Sequence, residues 1–230
     1  MARFDELTRF ERVFQPSFDE VFGRDFFLKG KWSKDVFHND HPVVLELGCG
    51  KGEYTVGMAR WFTEKNFLGV DIKGARIWRG AKTINEENIQ NAAFLRTRIE
   101  WIDSFFGNDE ISEIWLTFPD PQEKRRRIKK RLSSALFLNR YRTFLKSGGV
   151  VHLKTDNQVL FDYTVSLVEY NKLDILFASG DLYGSGYTDD ILQIKTFYEQ
   201  QYLSQGIPIK YIKFRLPADK EILELPEHEQ

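Results

Sequence analysis

Three glycines, at positions 48, 50 and 52, stand in the run ELGCGKGEY, with Glu46 just before them and Asp71 about 20 residues further on. Glycines placed directly after an apolar strand let the backbone approach a ligand closely. In a doubly wound sheet the crevice beyond such a strand end is where ligands bind. An acid closing the next strand can accept hydrogen bonds from both hydroxyls of an adenosine ribose. A third carboxylate, Asp120, lies between two prolines in TFPDPQEKRRRIKKRL. The prolines stiffen the loop and restrict its backbone, so the carboxylate is presented at a strand end beside the same crevice. Seven of the eight residues from Lys124 to Arg131 are basic. A carboxylate next to such a cluster suits an RNA base held by its phosphates.

The charges also discriminate between cofactors. A nicotinamide dinucleotide fingerprint, G-x-G-x-x-G, needs glycine where this chain has Glu53. Glu46 places negative charge beside the turn, unfavourable next to a pyrophosphate but suited to a sulfonium or an amino group. The balance favours S-adenosylmethionine over NAD. Plainer readings stand beside these: Glu46 as a solvated strand-end acid, Asp71 as a helix N-cap, and the basic run as a solvated helix face. Four scattered histidines and the single Cys49 offer no metal-ligand spacing, so no metal is expected.

The elements that must position these residues follow from the hydrophobic pattern. Short apolar runs at 43–47, 66–71, 92–97, 113–118, 150–155, 173–178 and 209–216 read as strands. Between them, 52–64, 74–90, 133–146, 157–170 and 194–204 read as helices, the third stopped by the Ser147-Gly148-Gly149 turn. This alternation predicts an α/β protein with a doubly wound, mostly parallel seven-stranded sheet of the Rossmann-like kind. We divide the chain into an N-terminal arm (1–41) packing on the domain, a main domain (42–218) and an acidic C-terminal tail (219–230). The arm carries Phe10, Phe14, Phe18, Phe22 and Phe26 at four-residue spacing, which predicts one helical face interrupted by Pro16. Lys29, Lys31 and Trp32 offer a second reading of the arm, as a grip on RNA.

At 230 residues, 42% hydrophobic and 29% charged, the chain suits one soluble globular domain. The net charge of −1 gives no bulk attraction to nucleic acid, so any such attraction is local. No apolar stretch reaches the roughly 18 residues of a membrane span, and the N-terminus lacks the apolar core of a secretory leader. One cysteine cannot form an intramolecular disulfide, which fits a cytoplasmic protein.

The stretches LELGCGKGEYT, GVDIKGARIWRGAK, IWLTFPDPQEKRRRIKKRL, LKSGGVVHLKTDN and TFYEQQYLSQGIPIKYIKF together resemble the bacterial tRNA (guanine-N7)-methyltransferase family. The resemblance covers roughly residues 42 to 216 in the family's order. It implies an enzyme that transfers a methyl group from S-adenosylmethionine to a guanine N7 in tRNA, in the variable loop. By the same resemblance Glu46 and Asp71 bind the cofactor, with Gly48 and Gly50 shaping the turn. Asp120 stands at the reaction centre and also touches the cofactor. Lys124, Asp156 and the segment Thr196, Phe197, Tyr198 and Glu199 contact the RNA. Three positions depart from the family pattern. Gln122 and Glu123 replace Trp-Pro, Arg127 and Ile128 replace paired histidines, and Arg98 stands where the family offers Asp or Asn to the adenine. The last leaves adenine recognition to backbone groups. The alternatives are a methyltransferase of another RNA position or of protein, and a non-catalytic RNA-binding relative. A monomer and a homodimer are both compatible with the sequence.

Overall fold

A computed structural model of the protein describes residues 2–226. Its strands in chain order are β1 (Val13–Phe14), β2 (Val43–Leu47), β3 (Asn66–Asp71), β4 (Ala92–Arg96), β5 (Ile111–Thr117), β6 (Leu145–Thr155), β7 (Ile175–Ser179) and β8 (Lys210–Arg215). The helices are α1 (Ala2–Leu7), α2 (Phe18–Val21), α3 (Glu53–Trp61), α4 (Gly74–Glu86), α5 (Ala135–Tyr141), α6 (Gln158–Tyr170) and α7 (Phe197–Ser204). All eight strands join one sheet in the order β1-β4-β3-β2-β5-β6-β8-β7. It is parallel from β1 to β6, while β8 runs antiparallel to both of its neighbours.

From β2 the chain winds outward through β3 and β4, then returns to place β5 on the other side of β2. The strand order therefore reverses between β2 and β5, and a crevice opens at their carboxyl ends. Alternation along β2 divides the core. Leu45 and Leu47 enter one hydrophobic cluster with Trp32, α5 and α6, while Val44 enters the other with α3 and α4. Glu46 shares the face of Val44, and this aims its carboxylate at the start of α3.

Three differences from the sequence expectations have clear causes. The sheet has eight strands, not seven, because the arm contributes β1, paired with β4 in the register Val13↔Phe94. The five arm phenylalanines do not share a helical face, since the backbone changes from α1 to β1 to α2 beneath them. Phe10 packs against one core cluster, Phe14 and Phe26 join the other, and Phe18 and Phe22 remain exposed. Finally, α5 ends at Tyr141, and the Gly148-Gly149 pair is an irregularity inside β6. Ile111 pairs with Leu145 but Glu113 with Val150, so the extra residues bulge out of the ladder.

Trp32 is fully buried, and its Nε1 donates to the Phe105 carbonyl at 2.9 Å. Lys29 is held by Asp25 at 2.7 Å. The LKGKW segment thus anchors the arm and leaves no indole to grip RNA. At the other end, Ile222 and Leu225 are buried, and Tyr163 donates to Glu224 at 2.7 Å. Residues 227–230 of the acidic tail lie outside the described residues.

Candidate active site

The chain leaves β2 through a turn in which Gly48, Gly50 and Gly52 all have positive φ. At Gly50 (φ 55°) a Cβ would meet nothing within 4 Å, so the backbone there is bare toward the crevice. Gly52 is constrained from below as well. A Cβ at that position would come within 2.5 Å of the Phe94 ring, so only glycine lets α3 start here.

Asp71, at the end of β3, accepts from Gly50 N at 3.0 Å through one carboxylate oxygen and from Lys73 N at 2.7 Å through the other. It therefore ties the glycine turn to the start of α4, although the capping position itself is Lys73. Each of its oxygens keeps a second lone pair for a ribose hydroxyl. Glu46 is 2% exposed, which rules out a solvated strand-end acid. Its Oε2 accepts from the Thr55 amide at 2.8 Å and from the Thr55 hydroxyl, and its Oε1 accepts from the Thr117 hydroxyl. Burial pushes the Glu46 carboxyl up to about 7, against the pull of its bonds to Thr117 and Thr55. A positive charge placed beside it would favour its ionised form. A bare glycine turn, an acid with lone pairs left for hydroxyl donors and a buried acid that a cation would ionise are a donor set that fits S-adenosylmethionine.

Across the switch point, β5 ends at Thr117 and the chain turns sharply. Phe118 (φ 48°) and Gln122 (φ 47°) both adopt the left-handed region, which is costly for side chains of this size. Between them Asp120 is exposed, and one of its carboxylate oxygens accepts from Gln122 N at 3.0 Å. The basic run follows as a short 3-10 helix of two turns, Arg125–Lys130. Lys124 and most of its neighbours face solvent, but Ile128 and Arg131 point inward. Arg131 Nε donates to the Pro121 carbonyl at 3.0 Å, and its guanidinium lies 4.4 Å from the Tyr163 ring centroid. One of the seven cations is therefore an anchor for the Asp120 loop.

Asp156 follows β6, half-buried, next to Asn157, whose side chain caps α6 by accepting from Leu160 N. Asn157 also donates to Glu123 at 2.9 Å, which joins the β6 end to the Asp120 loop. Phe118 stacks on Tyr202 of α7, with centroids 6.0 Å apart. Burial raises the Tyr202 hydroxyl pKa, and the nearby charge of Asp156 adds to it. Tyr202 was absent from the sequence reading, and its only signal there is its place one helical turn beyond Tyr198.

The segment 196–199 divides between surface and core. Thr196 caps α7 by accepting from Glu199 N at 3.2 Å. Phe197 and Tyr198 are exposed, and Phe197 N donates to Glu53 at 2.9 Å while Lys51 sits 5.4 Å from its ring centroid. The segment thus leans on the glycine turn. Glu199 is wholly buried, 2.7 Å from the equally buried Lys154, and Tyr183 donates to the same oxygen. Burial pulls the Lys154 ammonium down from its ordinary range, and Glu199 pulls it back up. Glu199 Oε2 is buried and has no partner among the described residues, an acceptor still open to a donor. Lys154, one residue short of the β6 end, was also missed by the sequence reading. Its signal was a charge inside an apolar strand, the same signal that singled out Glu46.

The fold resembles that of the 16S rRNA methyltransferase KamB, with a TM-score of 0.61 at 12% identity over 86% of this chain and 99% of that one. A 30S ribosomal A1408 methyltransferase from an uncultured bacterium gives a TM-score of 0.58 at 17% identity, over 82% and 98%. The chain thus shares the Rossmann-like fold of class I methyltransferases. The family model described as "Putative methyltransferase" matches residues 40–212. The tRNA (guanine-N(7)-)-methyltransferase of Bacteroides fragilis is 52% identical over 97% of this chain and 88% of its own length. That of Christiangramia forsetii is 53% identical over 94% and 97%. The chain belongs to the tRNA (guanine-N(7)-)-methyltransferase family. Among the described residues no helix is long and apolar enough to cross a membrane, and no group of His, Cys, Asp and Glu could hold a metal ion.

Proposed function

We propose that this protein methylates N7 of a guanine in the variable loop of tRNA, using S-adenosylmethionine. The observation that carries the reading is the juxtaposition at the switch point. Asp71 and the glycine turn lie at the β3 and β2 ends, and Asp120 and Asp156 at the neighbouring β5 and β6 ends. Bound S-adenosylmethionine supplies an electrophilic methyl group on a sulfonium. Guanine N7 already carries a free lone pair, so no residue has to remove a proton from it. The protein's task is positioning and charge. Asp156 accepts hydrogen bonds from the N–H edge of the guanine. Asp120 faces the purine as it becomes cationic, stabilising charge that is absent from the bound ground state. Lys124 and its exposed neighbours hold the phosphates. Thr196, Phe197 and Tyr198 bound the base from the α7 side, while Glu199 acts from beneath through Lys154. We place the reaction in the cytoplasm, carried out by a monomer or a homodimer.

The test is incubation of unmodified tRNA with labelled S-adenosylmethionine, followed by mass analysis of the nucleosides and of nuclease fragments that place the label in the chain. The expected product is 7-methylguanosine in the variable loop. A label on another nucleoside, or on protein alone, overturns the reading.

A further inference from the structure

Beyond β1 the arm exposes large aromatic surface that the core has not taken in. Phe18 is 50% exposed and Phe22 62%. Their rings stack with centroids 4.5 Å apart and 22° between planes. Phe18 also meets Trp101 edge-on at 5.3 Å. The exposed guanidinium of Arg98 lies 5.5 Å from the Trp101 ring centroid. These four residues form one contiguous cluster, with a cation over Trp101 at one end and the stacked, half-exposed phenylalanine pair at the other. Arg98 is thereby accounted for as a partner of Trp101, at the position where the family offers an acid or an amide.

The cluster stands on the functional rim of the sheet. Since β1 runs parallel to β4, the chain leaves β1 at the carboxyl end of the strands, and Arg98 and Trp101 follow the carboxyl end of β4. The segment Ile99–Ser104 that carries Trp101 packs against α5, as does the basic segment Arg125–Lys130. Helix α5 thus links the segment that carries Trp101 to the basic segment on the side of the crevice assigned to RNA.

We propose that Phe18, Phe22, Trp101 and Arg98 form a stacking platform for an unpaired nucleobase of the RNA, separate from the guanine that is methylated. Single-stranded bases are held by stacking on aromatic rings and on arginine planes, and every base offers a face for this. A protein partner is fitted less well, because a pair of parallel exposed rings with a guanidinium close by matches the flat face of a base. Asp19 and Glu20 on α2 give the arm no net attraction for phosphate, so affinity here comes from ring stacking and from Arg98.

The inference rests on tRNA being the substrate, so binding and methylation are measured separately. The Phe18→Ser/Phe22→Ser protein should bind unmodified tRNA about 5- to 150-fold more weakly at fixed salt, the range expected for one stacked base. Its S-adenosylmethionine affinity, unfolding midpoint and the salt dependence of tRNA binding should match the parent. Phe22→Trp should keep tRNA affinity, whereas Phe22→Leu, apolar but not aromatic, should lose it. Unchanged tRNA affinity in the double variant overturns the platform while leaving the methylation reading intact. A parent dimer that the same substitutions dissociate, again without loss of tRNA affinity, would give the surface to a second copy of the chain. A parent that binds tRNA but does not methylate guanine N7 defeats the functional reading and leaves the platform standing.

Discussion

The two walls of the crevice are built on opposite principles. On the β2–β3 side the carboxylates are occupied before any ligand arrives, Glu46 by Thr55 and Thr117, Asp71 by Gly50 and Lys73. On the β5–β6 side Asp120 and Lys124 are exposed, on a loop anchored from behind by Arg131, and Asp156 is half-buried. A small cofactor of fixed shape rewards a preformed site, since little is left to order on binding. A large polyanion is drawn by exposed charge and needs rigidity only where the reacting base sits.

The contrast breaks most sharply at Asp120. Asp120→Ala should lower the methyl-transfer rate by about a hundredfold or more in single-turnover assays while tRNA binding persists, the scale of losing one preorganised electrostatic partner. Asp120→Asn keeps size and hydrogen bonding, so near-normal turnover in that protein would defeat the charge argument. The buried pair beneath α7 tests stability rather than rate. Lys154→Met should cost about 3–5 kcal/mol in denaturant unfolding, because it strands Glu199 without a counter-charge. Adding Glu199→Met should recover most of that loss, and failure to do so would mean the pair is not the cause.

What the sequence revealed follows the same division. VVLEL and NFLGVD became β2 and β3 at the expected boundaries because apolar runs closed by a glycine turn or an acid are local signals. Glu46 was legible as a charge inside such a run. Lys154 had the same signature, yet its partner Glu199 is 45 residues away in the chain, and only the sheet brings the two together. The arm was misjudged for a related reason. Four-residue spacing describes a helix face only while the backbone stays helical, and pairing with β4 overrode it at Val13. Within the basic run, composition could not separate Arg131, turned inward, from its solvated neighbours.

Two smaller effects sharpen the picture of the cofactor wall. Asp71→Ala should weaken S-adenosylmethionine binding by about 2 kcal/mol in calorimetry, the scale of a hydrogen bond to a charged group. Unchanged affinity would remove Asp71 from the ribose site. Glu46, raised to about 7, should couple cofactor binding to pH. A cation favours the ionised carboxylate, so binding should release a proton and tighten as pH rises from 6 to 8, by at most about tenfold per unit. Conversely, the ligand-free protein should lose stability as pH rises toward 7, because the protonated form is the one the folded state prefers. A flat affinity profile, or one that loosens with pH, would rule out Glu46 as the group that senses the cation.

The two-residue strand β1 has a consequence for the molecule in the crowded cell. Its pairing covers the outer edge of β4, where Phe94 N donates to the Arg12 carbonyl at 2.8 Å. Without it that edge would present unpaired amides and carbonyls, an open template for adding strands from other chains. Being only two residues long, the cap offers little edge of its own. A segment of two residues thus shields the β4 edge from edge-to-edge pairing.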